Sequence, residues 1–166
     1  MTGTMRALVA RQGEAVMEDR PVPRADVNDV VVRTTAASMC SADVACVTGE
    51  FAVDDGRVLG HEAVGVVHEI GERVTGFTVG QRVAVTAVTP CGRCRNCQRG
   101  HGGHCRGEAW GGYSFGMTRD GSLAEYFVVP DAEVSLVPIP DAVDDALAVC
   151  VADTFATGTT GPETAR

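Results

Sequence analysis

The sequence predicts a mainly β chain, a small barrel carrying a metal-binding lobe and a helix at its C-terminal end. Three observations carry that reading. Short apolar runs punctuated by glycine fill the first 90 residues, four cysteines crowd a loop rich in Gly, Arg and His, and helical apolar spacing begins only after Pro140. With 166 residues and 45% hydrophobic content, the chain is long enough to bury a core of its own without cross-links.

In chain order, the β pattern predicts strands at 7–10, 30–34, 63–70 and 82–88, all rich in Ala or Val. A metal lobe at 90–106 follows, and then a further strand at 124–129. Pro130, Pro138 and Pro140 mark the way to a new element. There Asp141 or Asp144 caps a helix whose apolar residues Leu147, Cys150, Val151 and Phe155 recur at three- and four-residue intervals, until Gly158, Gly161 and Pro162 end it. The expected organisation is a β domain over 1–140 that includes the lobe, and a helical segment over 141–166. There is no internal repeat and no low-complexity segment.

Cys91, Cys94, Cys97 and Cys105 form a C-x2-C-x2-C-x7-C array. Two-residue gaps let a tight loop fold successive thiolates onto one ion, and zinc takes four such ligands at tetrahedral angles with Zn–S bonds of ~2.3 Å. Four cysteines leave no coordination position open, so this zinc is expected to be structural. His101 and His104 are further donors in the loop, but the cysteines already fill the shell. Arg93, Arg95, Arg99 and Arg106 lie there too, where cations offset the negative charge of a tetrathiolate site.

Composition excludes several classes. A net charge of −8 argues against nucleic acid as a partner. No apolar run approaches the ~18 residues of a membrane helix, since 83–88 and 147–152 are short. Seven cysteines is an odd count and residues 1–14 hold no signal-peptide core, so a secreted disulfide framework is not expected and a cytoplasmic protein is.

A second group of residues is scattered in sequence. Cys40 opens Cys40-Ser41-Ala42-Asp43, His61 and Glu62 sit in Gly60-His61-Glu62-Ala63-Val64-Gly65 at the entry to an apolar strand, and Asp153 lies in the helical segment. Taken singly, a cysteine before a loop is more often a small buried hydrophobe, a histidine beside glycine a polar surface group, and a helical aspartate an exposed one. Together the motifs read differently.

Gly60-His61-Glu62, Gly65, Gly71 and Val74, with the four-cysteine loop downstream, resemble the zinc-dependent medium-chain alcohol dehydrogenases, whose catalytic domain is a GroES-like barrel. The resemblance covers nearly the whole chain. It implies that Cys40 and His61 bind a catalytic zinc, that Asp43 is the carboxylate orienting His61, and that Glu62 lies behind the metal; an imidazole presents one nitrogen to zinc only when the other is held. The commonest pattern puts a third, cysteine ligand four residues before a Thr-Gly pair. Here Asp153 stands there, before Thr157-Gly158, as in the bacterial and archaeal secondary-alcohol branch, and carboxylate oxygen is an ordinary zinc ligand. Cys150, one turn earlier on roughly the same face, competes with Asp153 for that role.

By the same resemblance the activity is oxidation of an alcohol or reduction of a carbonyl by NAD or NADP. Zinc with one open position acts as a Lewis acid on the substrate oxygen, and hydride passes to or from a nicotinamide. Thr157 faces the nicotinamide edge, and Trp110, Tyr113 and Phe115 either wall the substrate pocket or pack at the base of the lobe. Two zinc ions per chain are implied, one catalytic and one structural.

Two departures stand out. Ala42 occupies the place where family members carry a Ser or Thr that relays the alcohol proton, so weak turnover is expected. No G-x-G-x-x-G occurs, and Gly158-x-x-Gly161 is too short for a phosphate loop. The doubly wound nucleotide-binding (Rossmann) domain is therefore expected to be absent or a separate chain, leaving this one inactive alone and with apolar surface that self-association could hide. Two readings compete with the dehydrogenase: a stand-alone zinc enzyme hydrolysing or hydrating through a zinc-activated water with Glu62 or Asp43 as base, and a non-catalytic zinc-stabilised module. Cys46 has no assigned role, and His68 is expected to be a partly exposed strand residue.

Overall fold

A computed structural model describes residues 3–107 and 113–164. Alternating apolar residues place the first strand, β1 (Thr4–Arg11), with Ala7 and Val9 inside. Gln12 and Gly13 both take positive φ, at 51° and 84°, and so close a tight hairpin onto β2 (Glu14–Pro21), which pairs with β1 along its full length. β3 (Val30–Ser38) is followed by α1 (Ser41–Thr48), β4 (Arg57–Val58), β5 (Glu62–Ile70) and β6 (Arg82–Val85). The lobe runs from β7 (Val88–Thr89) through α2 (Arg95–Gln98) to β8 (Tyr113–Ser114). β9 (Tyr126–Val129), β10 (Leu136–Pro138), α3 (Asp145–Val149) and α4 (Thr154–Thr164) complete the chain.

The strands form a sheet of order β2-β1-β4, a second of order β10-β6-β5-β3-β9, and the small pair β7-β8, every pair antiparallel. The two larger sheets are stitched by the segment ahead of β9. Leu8 N donates to Leu123 O at 2.8 Å, Glu125 N to Arg6 O at 3.0 Å and Thr34 N to Glu125 O at 3.0 Å, so one stretch bonds both β1 and β3. That closure makes the barrel. Its core holds Val30, Val32, Val67, Val83, Val85, Phe115, Phe127 and Val129. Gly65 on β5 is needed because a Cβ there would run into the Arg33 carbonyl of β3.

Several expectations change. The strand expected over 82–88 breaks into β6 and β7. Cys40 precedes a helix, α1, instead of a loop. The single helix expected after Asp144 is two, α3 and α4, and Gly158, Gly161 and Pro162 lie inside α4. A helical glycine costs only about 1 kcal/mol relative to alanine, which does not stop a helix. Asp144 is the cap of α3, accepting from Leu147 N at 2.8 Å.

The aromatic stretch divides. Phe115 is fully buried and meets Phe127 edge-on at 5.8 Å between ring centroids, so it packs the barrel and walls no open pocket. Trp110 lies outside the described residues, and Tyr113 begins β8. Cys46 is a buried core residue beside Ala10 and Leu59, and burial pushes its thiol up from the ordinary value. His68 is a half-buried residue of β5, its ring 4.8 Å from that of Tyr126. Among the described residues no helix is long and apolar enough to cross a membrane.

Candidate metal centres

Two groups of metal-ligating side chains converge, each with its donor atoms within 4.8 Å of one another: Cys91, Cys94, Cys97 and Cys105, and Cys40, His61, Glu62 and Asp153. They are built in opposite ways.

The cysteine group is assembled by one loop. Cys94 precedes the short α2, which returns Cys97 after one turn, and a single 3-10 turn at Gly102–His104 delivers Cys105. Sγ of Cys94 lies 3.4 Å from Sγ of Cys97, and Sγ of Cys91 lies 4.0 Å from it. A tetrahedron with ~2.3 Å Zn–S bonds has edges of about 3.8 Å, so these spacings match a tetrathiolate shell. Backbone N–H groups converge on the sulfurs: Cys91 and Gly107 donate to Cys105 at 3.3 and 3.2 Å, and Arg106 donates to Cys94 at 3.4 Å.

The thiols respond unequally to this crowding. The Arg106 N–H, with that of Cys97, brings Cys94 down to about 6. Burial pushes Cys97 up to about 12, with the neighbouring Cys94 sulfur next in weight. Burial also acts upward on Cys105, and the Cys91 and Gly107 N–H donors outweigh it to leave a net lowering. Four sulfurs this close cannot all ionise without a cation, and a divalent ion resolves the conflict. The donor set therefore fits zinc. His101 and His104 are exposed and stand outside the cluster.

The second group draws on three distant segments. Cys40 caps the start of α1, His61 and Glu62 open β5, and Asp153 sits between α3 and α4. His61 Nε2 is 3.9 Å from Glu62 Oε1 and 3.8 Å from Asp153 Oδ2. Two carboxylates and a thiol facing one imidazole suit a cation better than they suit each other, so here too the donors fit a metal. Glu62 is buried, His61 nearly so, and Cys40 and Asp153 are half-buried. The exposed apolar residues Met39, Val151 and Phe155 are close to these two in sequence.

Asp43, buried to 2% exposure, does something that sequence reasoning missed. Its Oδ2 accepts from Cys40 N at 2.9 Å and its Oδ1 from Gly60 N at 2.8 Å, while His61 Nδ1 is 3.7 Å away, beyond hydrogen-bond length. Instead of bonding the imidazole directly, the carboxylate ties together the two backbones that carry Cys40 and His61. Gly60 has φ 95° and lies so close to Leu123 that a Cβ would collide with that residue's backbone nitrogen, which is why glycine precedes His61. The Cys40-x-x-Asp43 spacing was a readable signal, since an acidic side chain at the third helical position reaches back to the capping N–H.

Asp153 is placed by α3. Arg82 on β6 donates to Val143 O at 2.7 Å and pairs with Asp145 at 2.5 Å, and Ala148 and Val149 pack on Val64 and Ala84. The chain then turns, with Phe155 N donating to Cys150 O at 2.9 Å and Thr157 N to Asp153 O at 2.8 Å. Cys150 Sγ points back along α3 to Ala146 O at 3.6 Å and is not among the converging donors. Thr157 Oγ1 donates to Asp153 Oδ1 at 2.6 Å. Ala42 lies in the first turn of α1 and offers no hydroxyl; Ser41 Oγ is 3.9 Å from Cys40 Sγ.

Residues 26–141 match the family described as the alcohol dehydrogenase GroES-like domain. A curated relative, the alcohol dehydrogenase of Cupriavidus necator, is 36% identical over 180 residues, covering 100% of this chain and 49% of that protein. Alcohol dehydrogenase TADH from Thermus sp. ATN1 superposes with a TM-score of 0.84 at 30% identity, covering 93% of this chain and 46% of its own. Acetophenone reductase from Geotrichum candidum NBRC 4597, solved in complex with NAD, gives 0.82 at 26% identity, over 92% of this chain and 45% of its own. The chain spans about half the length of the curated relative it matches.

Proposed function

Because this chain belongs to the alcohol dehydrogenase GroES-like domain family, we propose that it is the metal-binding catalytic domain of a zinc-dependent, NAD- or NADP-linked dehydrogenase of small alcohols, aldehydes or ketones. In this reading residues 1–140 are the catalytic domain with the structural zinc lobe, residues 141–166 lead toward a nucleotide-binding domain, and the protein works in the cytoplasm. The observation that carries it is the convergence of Cys40, His61, Glu62 and Asp153 from three separate segments onto one group.

Cys40, His61 and Asp153 are the proposed ligands of a catalytic zinc, and the four lobe cysteines those of a structural one. When bound at the first site, zinc supplies Lewis-acid polarisation of an alcohol or carbonyl oxygen. Asp43 holds the Cys40 and His61 backbones in register, so the donors meet the ion without rearrangement. Glu62 is the buried carboxylate of the group, and the family resemblance puts it behind the metal. The substrate reaches the group beside the half-buried Cys40 and Asp153. Hydride passes to or from a nicotinamide, because no side chain accepts one. The apolar residues Leu147, Val151 and Phe155, each about half-exposed, suit contact with the cofactor domain or another copy of the chain.

The test joins the chain to a family nucleotide-binding domain and assays it with NAD or NADP and a panel of primary and secondary alcohols. Metal-dependent formation of reduced nicotinamide, abolished by His61→Ala, is expected, while the 166-residue chain alone gives none. Turnover of an activated ester without nucleotide, and no reduced nicotinamide from the joined protein, would overturn the proposal in favour of zinc-dependent hydrolysis.

A further inference from the structure

We infer that Thr157 is a positioning residue of the mixed-donor group, its hydroxyl holding one oxygen of Asp153 so that the other is presented toward His61; this rests on the reading of Asp153 as a metal ligand. The two carboxylate oxygens have separate tasks. Oδ1 accepts the Thr157 hydroxyl at 2.6 Å, and Oδ2 lies 3.8 Å from His61 Nε2.

Such a lock is needed at this position. Asp153 sits at the junction of α3 and α4 with a side chain 32% exposed, and the terminal torsion of an aspartate is broad and two-fold. Unheld, the carboxylate would turn freely and lose rotational entropy each time a metal bound. The His61 imidazole lies 3.8 Å from its other oxygen. A short O–H···O bond to an ionised acceptor is among the stronger hydrogen bonds, and it fixes the plane of the carboxylate.

The backbone makes the lock local. Thr157 N also donates to Asp153 O at 2.8 Å, so the two residues are one helical turn apart and the hydroxyl is carried over the carboxylate by the first turn of α4. A cysteine at 153 would present a single sulfur, with no second donor atom left for the hydroxyl to hold. The Thr157 hydroxyl thus reaches the Asp153 carboxylate, a contact in addition to the place at the nicotinamide edge that the family resemblance implies.

The test measures binding of zinc alone, by chelator competition, and of cobalt(II) alone, by visible absorption, to the full chain and to Thr157→Val, Thr157→Ser, Asp153→Ala and Asp153→Asn. Thr157→Val preserves shape and removes the hydroxyl from an exposed residue. It is expected to weaken the mixed-donor site about 10- to 100-fold, the usual cost of losing such an outer partner, and to shift the cobalt band of the saturated protein. The four-cysteine site stays unchanged, and Thr157→Ser restores affinity and band position. A role confined to helix packing would leave the saturated spectrum unmoved. Wild-type affinity and spectrum in Thr157→Val, with the Asp153 variants losing the site, would overturn this inference alone. Asp153 variants that keep both sites at wild-type affinity would instead overturn the reading of Asp153 as ligand.

Discussion

The two donor groups of this chain contrast in how far the sequence travels to make them. The lobe takes four identical donors from 15 consecutive residues; the mixed group takes unlike donors from positions 40, 61, 62 and 153. A local group of this kind can form with little help from the barrel. The mixed group inherits its geometry from β3–β5 pairing, from the Asp43 tie and from α3 docking. The contrast separates a donor group made by one loop from one that depends on the whole fold.

The largest effect is expected from Cys97→Ser. Structural zinc sites release about 10–16 kcal/mol on binding, and a shell short of one sulfur loses most of it. Metal analysis should show the lobe ion gone, and hydrogen exchange should show 91–107 unprotected. The barrel should still melt cooperatively, since its core of Val30, Val67, Phe115 and Phe127 contains none of the cysteines. Collapse of the whole fold would erase the contrast.

Asp43→Ala comes next. It strands the buried Gly60 N–H at about 1–3 kcal/mol and the half-buried Cys40 N–H at less, and releases the two donor-bearing backbones from one another. Denaturant unfolding should register the loss, and zinc competition should show the mixed site weakened with the lobe unaffected.

A smaller effect follows from the tie that docks α3. The Arg82 hydrogen bond, and after it one from Thr35, holds the Asp145 carboxyl below its ordinary value of 3.8. A depressed carboxyl contributes stability that is present above the unfolded value and lost as pH falls through the folded one. In metal-free protein, protection of α3 should therefore decline below about pH 4, and Asp145→Asn should remove that dependence. With both partners about 30% exposed, the tie contributes about 1 kcal/mol after screening by solvent. The smallest effect is expected at His104→Ala, which should leave metal content and melting temperature unchanged if four sulfurs complete the lobe.

Legibility followed the same division between local and distant. The lobe could be read from spacing alone, and the strands around Val30, Ala63 and Tyr126 from their apolar runs. β2 was hidden because its outward-facing charges dilute the pattern, although Gln12-Gly13 marked the hairpin. α1 was hidden by Val and Thr, which carry little helical signal, although Asp43 at its third position and Gly49 at its end were cues. The break between α3 and α4 has no Gly or Pro to announce it, since docking of α3 on Val64 and Ala84 directs the chain there. That turn places Asp153, and not Cys150, opposite His61. Its aim is a property of the packed fold, beyond the reach of any local motif.

The most direct measurement of two unlike centres is 113Cd NMR of the cadmium-substituted chain, with and without the Asp153→Ala substitution. Two well-separated resonances are expected, one at the low-field position of an all-thiolate shell and one far upfield for mixed S, N and O donors, the second alone vanishing in the variant. A single all-thiolate resonance in both proteins would contradict the proposed second centre and leave the lobe as the chain's sole metal site.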